Sequence, residues 1–136
     1  MIVYETEPAL TVAEFQKILA SSTLGERRPI NDPERLERML RGANLIITAR
    51  DNGEIIGVSR SLTDFSFCTY LSDIAVDERY QRQGIGKELI RQTKLATGEA
   101  KLILLSAPKA VDYYPRIGMQ RHEHCYYIDR LDEIFS

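Results

Sequence analysis

The chain has 136 residues, 43% apolar and 28% charged, with a formal charge of −2 at pH 7, so it can bury a real core but has no general attraction for nucleic acid or anionic membrane. Its two cysteines, Cys68 and Cys125, form neither a disulfide framework nor a CxxC pair and read as half-buried thiols. The opening MIVYETEPAL lacks a basic region and a long apolar run, and no window reaches the roughly eighteen apolar residues of a membrane helix, so one cytoplasmic domain over residues 1–136 is expected.

In chain order, Met1–Thr6 is β-branched and aromatic enough for an edge-type strand. Thr11 and Glu14 form a capping-box pattern, and Val12, Phe15, Ile18 and Leu19 follow at helical spacing. Asp32-Pro33 starts a second helix, whose buried face is Leu36, Met39 and Leu40 and whose end is Gly42. Leu45–Ala49 and Glu54–Ser59 flank Asp51-Asn52-Gly53, a hairpin signal. After a loop at Thr63–Phe67, the near-continuous apolar run Thr69–Val76 predicts a central strand.

Ile85, Leu89 and Ile90 mark a further helix to about Ala96, ended by Thr97-Gly98. Lys101–Leu105 reads as a short buried strand, Ala110–Tyr114 as a short helix, and Met119–Asp129 as mainly strand-like, with a seventh strand doubtful. The order β-α-α-β-β-β-α-β-α-β predicts one α/β layer fold, a mixed, mostly antiparallel sheet flanked by helices.

Two glycines stand at the start of the best helix, in Gln81-Arg82-Gln83-Gly84-Ile85-Gly86-Lys87. A strand-to-helix turn without function accounts for them as readily as a phosphate cradle, in which free helix N–H groups meet an anion unobstructed by a Cβ. A Walker A loop fails twice, because Glu88 follows Lys87 and Gln81 stands at the first glycine position. A dinucleotide fingerprint fails at Leu89, where a third glycine is required.

The stretch does match (Gln/Arg)-x-x-Gly-x-(Gly/Ala), and 110-AVDYYPRIGM-119 is similar to Ala-x-x-Phe-Tyr-x-x-x-Gly-Phe. With Leu71–Asp77 as the strand before the loop, the chain resembles the Gcn5-related N-acetyltransferase (GNAT) superfamily. The resemblance implies an acetyl-CoA-dependent N-acetyltransferase moving an acetyl group to a primary amine of a small molecule or peptide by direct attack. It assigns the pyrophosphate to Gln81, Arg82, Gln83, Gly84, Ile85, Gly86 and Lys87, and the pantetheine arm to Ile74, Ala75 and Val76. Arg79, Arg82 and Lys87 are candidate cations near the phosphates, each equally readable as a solvated side chain.

Amide formation from a thioester needs a neutral amine, a polarised carbonyl and a protonated leaving thiol. An amine of pKa about 10.4 is neutral in about one molecule in 10³ to 10⁴ at pH 7, so deprotonation is the larger demand, up to roughly 4–5 kcal/mol. The resemblance gives Tyr114 the role of acid to the thiolate, against packing alone as the other reading; Pro115 directly behind it disfavours helix there. Ala107 stands where relatives carry a CoA-contacting Asn, and Ser106 is the candidate replacement. Asp73, polar within an apolar strand, is either a base acting through water or a structural acceptor.

His122, His124 and Cys125 lack convergent further ligands, so no metal is expected. Arg27-Arg28, in the connection that walls the acceptor cleft in this family, hints at an anionic acceptor group, although adjacent arginines are usually solvated. Partners expected from the resemblance are an amine acceptor and a possible homodimer, without nucleic acid or membrane. A catalytically inactive CoA-binding regulatory or interaction module of the same fold is the alternative.

Overall fold

A computed structural model describes residues 1–135. The chain divides into two compact units, Met1–Leu105 and a second beginning at Ser106.

The first unit contains β1 (Ile2–Thr6), α1 (Val12–Ser21), a 3₁₀ turn (Thr23–Arg27), α2 (Pro33–Gly42), β2 (Leu45–Asp51), β3 (Glu54–Thr63), β4 (Cys68–Val76), a 3₁₀ turn (Glu78–Tyr80), α3 (Ile85–Thr97) and β5 (Lys101–Ile103). Local chemistry sets the helix starts. The Thr11 hydroxyl accepts from the Glu14 N–H at 3.2 Å, and the Asp32 carboxylate accepts from the Arg35 N–H at 3.1 Å, each satisfying a donor that a helix leaves open. Asn52 and Gly53, at φ 51° and 87°, form the left-handed pair that a two-residue hairpin between β2 and β3 needs.

The sheet runs β1-β2-β3-β4-β5. Its first three pairings are antiparallel and β4–β5 is parallel, giving the mixed, mostly antiparallel sheet expected. It buries side chains on both faces. Phe15, Ile18, Leu36, Val58 and Ala75 belong to one apolar cluster, with α1 and α2. Leu45, Ile47, Ile56, Ile85 and Leu89 belong to the other, with α3. Gly57 lets α3 settle close: a Cβ there would stand 3.2 Å from Leu89 Cδ1 and 3.3 Å from Ile85 Cγ2. The start of α3 is thereby seated against the end of β4, which Gly57 opposes at Val76.

Two strand expectations change. β5 ends at Ile103 and is not buried: Ile103 is 48% exposed and Leu105 54%. It is the edge strand of the sheet, so an apolar run that reads as central has a neighbour on one side alone. In the second unit, Met119–Asp129 forms no strand. Residues 119–124 are nearly all polar or charged, and the aromatic pair Tyr126 and Tyr127 is largely exposed, so the segment has β propensity without one consistent apolar face to bury. That unit otherwise holds a 3₁₀ turn (Pro108–Ala110), the single-turn α4 (Tyr113–Arg116) and a 3₁₀ turn (Leu131–Glu133).

Candidate active site

The site in the first unit begins with a mismatch in strand length. β4 pairs with β3 from Thr69 to Val76, but with β5 only over Cys68–Tyr70 against Lys101–Ile103. From Leu71 to Val76, β4 therefore has a strand neighbour on one side alone. Backbone donors and acceptors along that open side, including those of Ile74, Ala75 and Val76, suit an extended amide-bearing ligand. At the branch point the β3–β4 register slips, Ser61 facing Leu71 and Arg60 facing Asp73. Ser72 is thus the extra residue of a β-bulge, a device that re-aims side chains beside a site.

Beyond β4 the chain is braced. The Asp77 N–H donates to the Ile56 carbonyl at 2.9 Å, and the Asp77 carboxylate accepts from the Arg79 N–H at 2.8 Å. Arg79 Nη2 reaches Asp77 Oδ2 at 2.9 Å and Glu54 Oε1 at 3.1 Å. The Tyr80 hydroxyl donates to Asp51 Oδ2 at 2.8 Å, and Gln81 Nε2 to the Val76 carbonyl at 3.1 Å. Arg79, one of the three candidate phosphate cations, is already paired with two carboxylates. Those carboxylates hold its pKa above the usual guanidinium value, the Asp77 hydrogen bond contributing most. Arg82 and Lys87 are exposed and form no ion pair among the described residues.

The loop itself turns through two left-handed residues, Arg82 at φ 65° and Gly84 at φ 81°. Such residues in a turn point successive N–H groups into a concavity that suits an anion. Gly84 caps α3 without any side-chain hydrogen bond to the helix, and a Cβ built on it would meet nothing within 4 Å. The space beside Gly84 is thus clear at the start of a thirteen-residue helix, the positive end of its dipole. Ile85 contributes its backbone alone, since its side chain is buried in the α3 cluster.

Asp73 is wholly buried. Its Oδ1 accepts from Arg28 Nε at 2.5 Å and its Oδ2 from Arg60 Nε. Arg60 also donates to the Met39 carbonyl at 3.1 Å and to Ser72 Oγ at 3.0 Å; Arg28 donates to the Ser72 carbonyl at 2.7 Å. Of the two readings open for Asp73, this is the geometry of a structural acceptor: both oxygens are engaged and neither reaches solvent. Sequence reasoning missed the two arginine partners. Arg60, a lone cation inside the buried run Ile55–Ser61, was the available signal.

Tyr114 and Ser106 lie in the second unit. Tyr114 opens the one-turn α4 with Tyr113, their rings edge-to-face at 5.3 Å; the helix starts later than the Ala110–Tyr114 expected and takes in both Tyr114 and Pro115, since a proline in the first turn removes no intrahelical hydrogen bond. Burial, and less so the neighbouring Tyr113, raises the Tyr114 phenol above its usual value of 10. Ser106 Oγ donates to the Ala107 carbonyl at 2.7 Å and keeps its lone pairs for a further donor. His122 and His124 are exposed and stack edge-to-face at 5.7 Å. Among the described residues no group of three or more His, Cys, Asp or Glu could hold a metal ion.

Comparison with known proteins bears on family and fold. Residues 13–131 match the acetyltransferase (GNAT) domain family. A 70-residue segment, 49% of the chain, is 30% identical to 27% of the Arabidopsis thaliana protein "GCN5-related N-acetyltransferase 2, chloroplastic"; the match therefore spans little more than a quarter of that relative. The fold resembles a GNAT-family acetyltransferase of Streptococcus pneumoniae, with a TM-score of 0.76 and 22% identity, covering 96% of this chain and 99% of that one. It also resembles an aminoglycoside acetyltransferase from an uncultured soil metagenomic sample, solved with sisomicin, with a TM-score of 0.68, 22% identity and coverage of 95% and 97%. At such identities these two structures speak to the fold alone. The open edge of β4 and the glycine turn that starts α3 are thus features of a chain that belongs to the GNAT acetyltransferase family.

Proposed function

We propose that the protein is an acetyl-CoA-dependent N-acetyltransferase that acts on a primary amine by direct attack. The observation that carries this reading is the junction of the open β4 edge with a left-handed glycine turn at an uncapped helix start. One offers strand-like pairing to an amide-containing arm; the other offers N–H groups to a pyrophosphate. The residues present fit coenzyme A in donor type, and the absence of a Cβ at Gly84 leaves the approach clear. When bound, acetyl-CoA supplies the activated acyl group.

This chain's residues then have four tasks. Ile74, Ala75 and Val76 align the arm through their backbone. Arg82 to Lys87 bind phosphate through N–H groups, with the Arg82 and Lys87 side chains adding charge. Ser106 offers a further polar contact. Tyr114 gives its phenolic proton to the departing sulfur as the amine nitrogen forms the new C–N bond and the C–S bond breaks; the amine's proton passes to solvent. A phenol held above its usual pKa is fully protonated at neutral pH, as an acid must be. A cysteine acyl-enzyme is not proposed, because Cys68 and Cys125 are exposed thiols and among the described residues neither is hydrogen-bonded to a histidine, Cys68 donating to Asp64 instead.

The test combines calorimetric titration of CoA with free-thiol release from acetyl-CoA across an amine panel. Binding with turnover supports the enzyme. Binding without turnover on any amine class leaves a CoA-binding module, and no binding rejects the cofactor assignment.

A further inference from the structure

The Arg28–Asp73–Arg60 cluster is not charge-balanced. Two guanidinium groups face one carboxylate, and among the described residues Asp73 is the only acidic group within ion-pair distance of either arginine. The net charge is +1, held where the side chains of Asp73 and Arg60 are 0% and 8% exposed. An uncompensated charge in such a place is costly, so a counter-charge that arrives with a ligand would be stabilised strongly.

Arg28 is the member that such a ligand can reach, being 21% exposed. A guanidinium has five N–H donors. Arg28 uses three: Nε to Asp73, Nη1 to the Arg27 carbonyl at 2.8 Å and Nη2 to the Ser72 carbonyl. One N–H on each terminal nitrogen remains, as many donors as a carboxylate has oxygens. Its position adds to the argument. Ser72 and Asp73 come two and three residues after Tyr70, the last β4 residue that pairs with β5, where it faces Ile103. Arg28 is therefore tied to the point where β4 parts from β5, at the root of the open edge proposed to carry the pantetheine arm.

We infer that the acceptor is an amine bearing its own carboxylate, as in an amino acid, and that Arg28 binds that carboxylate. This rests on the acetyl-transfer reading above. The same net charge disfavours a second cation nearby, lowering the pKa of an amine brought there and raising its neutral fraction. That contribution is useful in a site whose buried aspartate has no oxygen left to act as base. Polycationic amines, which present charge without an anion, are disfavoured by the same field.

The experiment measures thiol release from acetyl-CoA with matched acceptors: amino acids, their carboxamides, the corresponding decarboxylated amines, and a polyamine. For wild-type protein, kcat/KM for the best amino acid should exceed that for its carboxamide by at least about 10-fold, which corresponds to about 1.4 kcal/mol. The preference should vanish in Arg28→Gln and persist in part in Arg28→Lys, which keeps the charge but loses the fork. Because Arg28 also braces Asp73, the wild-type comparison stands by itself should either variant misfold. A panel on which carboxamides or polyamines do as well as carboxylates, or on which no carboxylate-bearing amine reacts, overturns the inference. Calorimetry of acetyl-CoA with wild-type protein separates the two levels: intact binding beside the wrong acceptor preference rejects this inference alone.

Discussion

A side chain at position 86 tests the loop more cleanly than one at position 84. Gly84 sits at φ 81°, where an L-residue is strained by about 1–2 kcal/mol whether or not a ligand binds. Gly86 lies inside α3 and is not among the positive-φ residues. Gly86→Val should fold with a near-wild-type melting temperature yet bind CoA at least about 10-fold more weakly, because its branched Cβ crowds the donors. Unchanged affinity in calorimetry would remove the pyrophosphate from this turn. For Tyr114, replacement by Phe keeps the ring and deletes the proton. kcat should fall by roughly 10- to 10³-fold with little change in KM for acetyl-CoA. The sign of the pH effect follows from the raised phenol: in wild type the acid is lost only above about pH 10, and that alkaline limb should change in the variant. Equal kcat in both proteins would leave Tyr114 a packing residue. Asp73→Asn tests the other assignment. Removing the anion between Arg28 and Arg60 should cost about 3–5 kcal/mol of stability by urea unfolding. A fully stable variant that has lost only activity would restore Asp73 as base.

Among the elements, the β1–β2–α1 corner carries its own charge cluster. Arg50 on β2 donates to both oxygens of Glu7 at 2.7 and 2.8 Å and to both of Glu14 on α1 at 2.7 and 2.9 Å; Thr48 also donates to Glu7. Hydrogen bonding to Arg50 is the main cause holding both carboxyls below their usual 4.5. Depressed folded-state values mean stability that is present above about pH 4.5 and lost as pH falls through the folded values. The melting temperature should therefore drop on acidification below pH 4.5, and less steeply in Arg50→Met. Parallel curves for the two proteins would mean that the cluster does not link protonation to folding. These elements also show what a sequence discloses. α1 and α2 are legible because their caps, Thr11 and Asp32, act on residues three positions away. The β2–β3 hairpin is legible because Asn52-Gly53 alone dictates its turn. The tie from Arg28 to Asp73 spans 45 residues, and nothing local announces which cation will meet a buried carboxylate. β5 was misjudged for the same reason: its composition is that of a central strand, but centrality depends on a neighbour elsewhere in the chain.

For the molecule as a whole, a net charge of −2 with two unpaired loop cations predicts a particular salt response. Affinity for CoA should rest mainly on fixed N–H donors, so it should weaken only moderately between low and physiological salt. A slope as steep as that of a nucleic-acid complex would point to a different polyanion. The loop could be singled out in the sequence only by its match to a family motif, because the left-handed turn at Gly84 calls for glycine whether or not a ligand binds. Its brace through Asp77, Arg79 and Glu54 could not, since Glu54 is contributed by the far end of the β2–β3 hairpin.

The unequal lengths of β4 and β5 also bear on how the protein behaves when empty. Six residues, Leu71 to Val76, lack a strand neighbour on one side, and unpaired strand edges recruit other chains. A ligand lying along that edge would act as a removable guard strand as well as a reactant. CoA should therefore slow amide hydrogen exchange at residues 71–76 and delay aggregation on mild heating, beyond what its effect on global unfolding explains. In a crowded solution, keeping the protein charged with its cofactor would be a matter of solubility before it is one of turnover.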